Sequence, residues 1–294
     1  MIDAQTIDQN RKKAFWLTIL TIFFVLCTLF AVQQMEIDLR TALQKTDPAY
    51  LILSAVFMSL AFYCMGLRWR ALMPIRPPSL ELSGLICAGL LLNYAVPGPV
   101  GELSTAWFAS KRYPISTSEA LASGVVARLI GLITAALVGG IIWVCFDLPI
   151  DPDPNIRLAI QSTAVFTLSM GLGLLSILLF PQFWLYLAQK LDHDDEKSNF
   201  LIKIQQKGFK AVASLCRSIS SLSYQKDSSY LEALLWSFGA HTCVVLGILS
   251  LAISLQTDYS VVGIIFTYCV TTAGAVLLFA LPGSYLGWDA LFLG

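Results

Sequence analysis

The stretch Asn93-Tyr94-Ala95-Val96-Pro97-Gly98-Pro99-Val100-Gly101-Glu102 interrupts an otherwise apolar region and decides how the chain is read. Leu85 to Leu92 before it is almost wholly apolar, and Leu103 to Ala109 after it is mostly apolar and closes on Lys111 and Arg112. Two prolines and two glycines within five residues cannot continue a helix. Each proline lacks an N–H and clashes with the preceding turn, and the glycines permit backbone that other residues resist. In lipid such a break survives only where protein buries it or a wet cavity solvates it. A broken apolar segment carrying one carboxylate is therefore a candidate binding site. The plainer alternative is a tight turn between two ordinary spans, with Glu102 at the water boundary.

Composition sets the class. The 294 residues are 56% hydrophobic and only 13% charged, with mean hydropathy +0.71, whereas soluble domains carry about 25% charged residues. An all-α, polytopic integral membrane bundle is expected, with about six to eight spans and one or two broken or re-entrant helices. Formal net charge is zero, so bulk charge points to no partner and gives no reason to expect nucleic acid. The cysteines at 27, 64, 87, 145, 216, 243 and 269 form no C-x-x-C pair, and the histidines are His193 and His241. Zinc-type ligand spacing is missing; no metal site, cofactor or catalytic residue is assigned.

Apolar runs place spans at 14–33 and 49–67, a broken pair at 81–96 and 99–110, then spans at 119–146, 158–180, 231–253 and 260–281. Ala14 to Val32 holds no charge and is long enough to cross a bilayer. No small-residue cleavage site follows it, so it reads as a retained first helix rather than a signal peptide. With the N-terminus in the cytoplasm, the inner segments hold Arg11, Lys12, Lys13, Arg68, Arg70, Arg76, Lys111, Arg112 and the lysines and arginine between 190 and 226. The outer segments hold Arg40, Lys45 and Arg157. That asymmetry fits N-in topology and makes 81–110 enter and leave on one side. Sixteen and twelve helical residues reach about 24 Å and 18 Å, short of the roughly 30 Å hydrocarbon core, which favours re-entrance.

The whole of 1–294 reads as one transmembrane domain. Its longest polar stretch, 189–230, reads as a cytoplasmic loop containing an amphipathic helix. There Leu201, Ile204, Gly208, Val212, Leu215, Ile219 and Leu222 recur every three or four residues, and Lys203, Lys207, Lys210 and Arg217 share another stripe. Such a helix suits either an anionic membrane surface or the protein's own cytoplasmic face. Near the end, Leu281-Pro282-Gly283-Ser284-Tyr285-Leu286-Gly287-Trp288-Asp289 echoes the first break, since in both an apolar residue leads to Pro-Gly, then a glycine, then an acid. Matching breaks in two halves point to an inverted repeat with a midplane site. The chain stops abruptly at Gly294, which suggests a further C-terminal helix.

Arg128 is the most informative charge, alone between Ala120 and Val138. A mid-span arginine costs at least about 2.5–3.5 kcal/mol on insertion scales, so it should face the interior and find a partner. Glu102 is the first candidate, with Glu119 and Asp289 behind it; a lipid phosphate and snorkelling to the interface are the other outcomes. His241, also within a span, suits a cross-helix hydrogen bond better than a proton relay. Asn93 and Tyr94 can cap a broken helix. Gly124, Gly131, Gly139 and Gly140 on one span suggest close helix packing.

Asn93 to Glu102, followed by Ala120-Leu121-Ala122-Ser123 and Arg128, resembles the transmembrane region of lysylphosphatidylglycerol synthases, which also occurs as a stand-alone, flippase-like protein. Asn93, Pro97, Gly101 and Glu102 match the family's first motif. Arg128 matches its arginine, with Ala127 in place of the preceding glutamate. Pro282, Gly283 and Gly287 match the closing motif, and Asp289 stands about one residue from the expected glutamate. The resemblance spans about 14–294 and implies lipid handling: movement of a phospholipid between leaflets of a bacterial inner (plasma) membrane, not aminoacyl transfer. The candidate substrate-binding or gating residues are then Asn93, Pro97, Gly98, Gly101, Glu102, Arg128, Pro282, Gly283, Gly287 and Asp289. The expected partner is membrane lipid, in particular anionic phospholipid, with a homo-oligomer or an envelope-enzyme partner as further expectations. The alternative function is a non-catalytic scaffold or regulatory subunit of an envelope enzyme. A lipid-phosphate enzyme is the weakest reading, because it would need a cluster of catalytic side chains.

Overall fold

A computed structural model describes residues 46–95, 100–146, 154–191, 212–214, 216–220, 227–256 and 259–278. The expected span at 14–33, the closing motif with Pro282, Gly283, Gly287 and Asp289, and most of the amphipathic stretch lie outside them, as do Pro97 and Gly98. The protein is all-α. Among the described residues its helices are α1 (Pro48–Leu72), α2 (Ser79–Ala95), α3 (Val100–Arg112), α4 (Thr117–Cys145), α5 (Pro154–Leu179), α6 (Pro181–Leu191), α7 (Asp227–Ser254) and α8 (Val261–Leu278). The helical residues 212–214 and 216–220 add Cys216 and Ile219 to the core.

Local chemistry sets the boundaries. Asp47 caps α1 by accepting from the Ala49 N–H at 2.9 Å, with Pro48 inside the first turn, where a missing N–H costs nothing. α4 opens on a capping box: the Ser116 hydroxyl accepts from the Glu119 N–H, and the Glu119 carboxylate accepts from the Ser116 N–H at 2.9 Å. Two of the helix's orphan donors are satisfied this way. Pro181 separates α5 from α6, a further helix beyond the span expected at 158–180.

Among the described residues, Pro48–Leu72, Thr117–Cys145, Ile160–Leu179 and Ser229–Ser254 are long and apolar enough to cross a membrane, and Ser79–Asn93 and Val261–Ala273 are shorter apolar helices. α4 is the centre of the bundle. Its apolar window is 67% buried, against 22–28% in the other three. α1 and α7 pack antiparallel along their length. Ser254 Oγ donates to Asp47 O at one end (2.8 Å), Ser54 Oγ donates to Gly247 O midway (2.8 Å), and Arg76 pairs with Glu232 at the other end (3.0 Å). The outward faces carry Ile52, Val56, Leu235 and Phe238 in the open. On helices of this length such faces suit acyl chains rather than water.

α2 and α3 form an antiparallel helical hairpin. Thr105 lies against Leu85, Gly101 against Gly89, and Arg112 against Glu81. Close approach is why glycine stands at 89 and 101. A Cβ on Gly101 would run into the Gly89 carbonyl and Asn93, and one on Gly89 would strike Thr105. The hairpin runs beside only part of α4: its base bonds Ser110 to Thr117 (2.8 Å), and its far end places Glu102 beside Arg128. Arg128 is twelfth of the 29 residues of α4, so the first turn of α3 lies beside about the middle of that helix.

Candidate functional site

The first turn of α3 is where the hairpin concentrates its polar groups. Asn93, near the end of α2 and only 6% exposed, bridges the two helices with both ends of its amide. Its Oδ1 accepts from the Gly101 N–H at 2.7 Å, and its Nδ2 donates to Glu102 Oε1 at 2.7 Å. One of the free N–H groups of a helix start is thereby capped, and the donor and acceptor roles fix the amide's orientation. Thr105 Oγ1 donates to Gly101 O at 2.7 Å and further locks the turn.

Arg128 Nη1 forms an ion pair with Glu102 Oε1. Glu102 is thus held from two helices. Its side chain is 13% exposed, Arg128's is 39% exposed, and Glu102 Oε2 is buried without a hydrogen-bond partner. Of the partners that the sequence suggested for Arg128, Glu102 is paired with it, Glu119 is engaged in the capping box of α4, and Asp289 lies outside the described residues.

A second polar group lies one turn further along α4. The Arg68 side chain, 8% exposed, lays its guanidinium on the Gly131 backbone so closely that a Cβ there would meet Nη1 and Cζ. This corrects the placement of Arg68 among the basic residues of an inner segment. α1 runs to Leu72 instead of stopping at 67, and a helical side chain leans toward the N-terminus of its own helix. Arg68 therefore points back into the bundle. Its Nη1 donates to Ser237 Oγ on α7 at 3.4 Å, a long bond, and its Nε is buried without a partner. Arg68 and Arg128 repel each other electrostatically.

His241 joins the same layer. The Gly131 carbonyl can only accept, so His241 Nε2, 2.9 Å away, carries a proton; Nδ1 lies 2.7 Å from the Tyr268 hydroxyl of α8. A neutral ring then accepts from Tyr268. The expected cross-helix hydrogen bond of His241 is found twice over, tying α4, α7 and α8. Gly124, Gly139 and Gly140 of α4 face Trp69, Cys269 and Leu168 on other helices.

At the base of the hairpin, Tyr113 Oη donates to Glu81 Oε2 at 2.7 Å and Arg112 Nε donates to the same oxygen at 3.2 Å. The Tyr113 hydroxyl first, and then Arg112, hold the Glu81 carboxyl below the usual carboxylate range. Burial, followed by the bond to Glu81, pushes the Tyr113 phenol up to about 12.

The structure therefore brings together Asn93, Gly101, Glu102 and Arg128 and adds Arg68 and His241 beside them. Among the described residues no three of His, Cys, Asp and Glu converge as metal ligands. The arrangement offers fixed charges and hydrogen-bond donors suited to holding a polar group at membrane depth.

The family described as lysylphosphatidylglycerol synthase TM region matches residues 15–294. No curated protein gives a significant match to the chain, and no solved structure does.

Proposed function

The chain belongs to the lysylphosphatidylglycerol synthase transmembrane-region family, and from that premise we propose that it binds a phospholipid or lipid-linked substrate by its headgroup and moves it between leaflets. The observation that carries this reading is the Glu102–Arg128 ion pair at the tip of a broken hairpin, beside the middle of the most buried helix. A charge pair at that depth costs insertion energy and has a function as its default explanation. The hairpin is re-entrant in this reading. α2 and α3 have 17 and 13 residues, or about 26 Å and 20 Å, and the first turn of α3 lies beside about the middle of α4. Ion-pair exchange is the working element: Glu102 holds Arg128 when the site is empty, and the headgroup displaces it. The family and the basic-residue asymmetry together favour a bacterial inner membrane with the N-terminus in the cytoplasm.

The test is a leaflet-resolved assay with purified chain in proteoliposomes containing fluorescent phosphatidylglycerol. Loss of outer-leaflet signal should be faster with wild type than with folded Glu102→Gln or Arg128→Ala. If folded wild type matches empty liposomes, translocation is wrong, and co-purification of an envelope enzyme would then favour a scaffold.

A further inference from the structure

Among the described residues, charge is not balanced in this centre. The Arg68 guanidinium lies on the Gly131 backbone, about one turn along α4 from Arg128, and Glu102 pairs with Arg128. Arg68 forms no ion pair among the described residues. Among the described residues its side chain makes the long bond to the Ser237 hydroxyl, and its buried Nε has no partner. An arginine this deep is normally compensated by a carboxylate or by several good hydrogen bonds, because the effective penalty for burying an ion is several kcal/mol. Here it is instead set beside a second arginine. Residues three apart on a helix have neighbouring side chains, their Cβ atoms about 5–6 Å apart, so the Gly131 surface that Arg68 covers adjoins Arg128. Glycine at 131 leaves the space that the guanidinium fills. The Arg128 side chain stays 39% exposed, which leaves a way in.

We propose that Arg68 and Arg128 together form a receptor for one phosphate group, with the Glu102 carboxylate occupying the Arg128 half while the receptor is empty. A phosphodiester supplies a negative charge and several acceptor oxygens. It can take two guanidinium forks at once, including the orphaned Nε of Arg68. The proposal rests on the headgroup-binding reading above and adds to it the recognised chemistry and a residue outside the family motifs. Arg68 would bear on any phospholipid with a phosphodiester, whatever the rest of its headgroup.

The test is ligand-induced thermal stabilisation of the purified full chain in detergent, with short-chain phosphatidylglycerol, short-chain diacylglycerol and inorganic phosphate as probes. Wild type should be stabilised by phosphatidylglycerol and not by diacylglycerol. Stabilisation by inorganic phosphate at similar concentration would identify a free anion as the ligand, and its absence would identify the lipid headgroup. Arg68→Met should weaken the phosphatidylglycerol response at least tenfold while the ligand-free midpoint holds or rises, since removing a buried uncompensated charge favours folding. A merely structural arginine would do the reverse, lowering the midpoint and leaving affinity intact. Arg68→Lys keeps the charge but loses the fork, and serves if the methionine variant does not fold; it too should bind several-fold more weakly. Undiminished binding in either folded variant overturns the proposal, as does a wild type stabilised by neither phosphatidylglycerol nor inorganic phosphate. If leaflet movement by wild type is retained in Arg68→Met with unchanged affinity, this inference alone fails. If phosphate binds but no lipid moves, the translocator reading fails and the receptor stands.

Discussion

Asn93 holds the hairpin tip from both sides: its amide oxygen takes the Gly101 N–H and its amide nitrogen reaches Glu102, each at 2.7 Å. The carboxylate that meets Arg128 is therefore positioned by α2 as well as by its own helix. Replacing Asn93 with alanine leaves the Gly101 N–H and one Glu102 oxygen without these partners. Losing hydrogen bonds at a buried site, one of them to a charged group, costs about 1–3 kcal/mol. Asn93→Asp keeps the acceptor for Gly101 but sets a second carboxylate against Glu102, so it should be destabilised at least as much at neutral pH. Thermal midpoints of the two variants in detergent check this; Asn93→Asp more stable than Asn93→Ala would contradict the geometry.

The hairpin crossing makes a second prediction, with its own control. Gly101→Ala forces a methyl into the Gly89 carbonyl, which is backbone and cannot swing aside. Overpacking of this kind costs about 1–3 kcal/mol or more, and it should also move Glu102 away from Arg128. Gly84, on the same hairpin, has nothing within 4 Å of where its Cβ would stand. Gly84→Ala should be neutral or stabilising by up to about 1 kcal/mol, from helix propensity. The two variants, compared for midpoint and for lipid movement, should separate in sign. Equal losses from both would mean that the crossing is not tight.

The hairpin base is sensitive to pH through Glu81. Its carboxyl titrates below the ordinary range because it accepts from Tyr113 and Arg112. A depressed folded value means a stabilising contribution that is complete above the unfolded value of about 4.3 and is lost as pH falls through the folded one. Tyr113 has the opposite sign: its phenol, raised to about 12, contributes below its unfolded value of about 10 and ceases to do so as pH rises through the folded one. The midpoint difference between wild type and Glu81→Gln should accordingly be positive at pH 7 and shrink below about pH 4.5. A difference that stays constant with acid would remove Glu81 from the link.

Much of this was legible in the sequence, and the reasons are physical. The described helices reach Ala95 and start again at Val100, on either side of the proline–glycine stretch that the sequence singles out, because proline and glycine act locally. Arg128 needed a partner on energetic grounds, and Glu102 was the nearest carboxylate in the broken segment. Arg68 was misplaced because counting basic residues carries no depth. Its position depends on α1 continuing to Leu72, where no breaker stops it before Pro74. The hydrogen bonds of His241 join residues 110 and 27 positions away, and no local pattern encodes such pairings. Gly89 reads as an ordinary helix glycine until Gly101 is seen to cross it. Proposed contributions from Pro97, Gly98, Pro282, Gly283, Gly287 and Asp289 lie outside the described residues; Pro97, Pro282, Gly283 and Gly287 rest on the family motifs, and Gly98 and Asp289 on the two breaks in the sequence.

The path of the hairpin makes the last prediction. If α2 and α3 are re-entrant, both ends open on one side of the membrane and the tip stays within it. A chain lacking its native cysteines, with single cysteines restored or introduced at 80, 100, 111 and 145, separates the two arrangements. Leu80 and Lys111 flank the base and are exposed, Val100 stands at the start of α3, and Cys145 at the far end of α4 is exposed. An impermeant maleimide applied to sealed, oriented vesicles should label positions 80 and 111 from one side and Cys145 from the other. Position 100 should react from the 80 and 111 side or not at all, because Glu102 beside it meets Arg128 at about the middle of α4 rather than at its Cys145 end. Two full spans would instead carry position 100 to the opposite surface, and brisk labelling there from the Cys145 side would replace the re-entrant hairpin with two crossings. The same vesicles test orientation: with the N-terminus inside the cell, positions 80 and 111 react only when the cytoplasmic face is accessible.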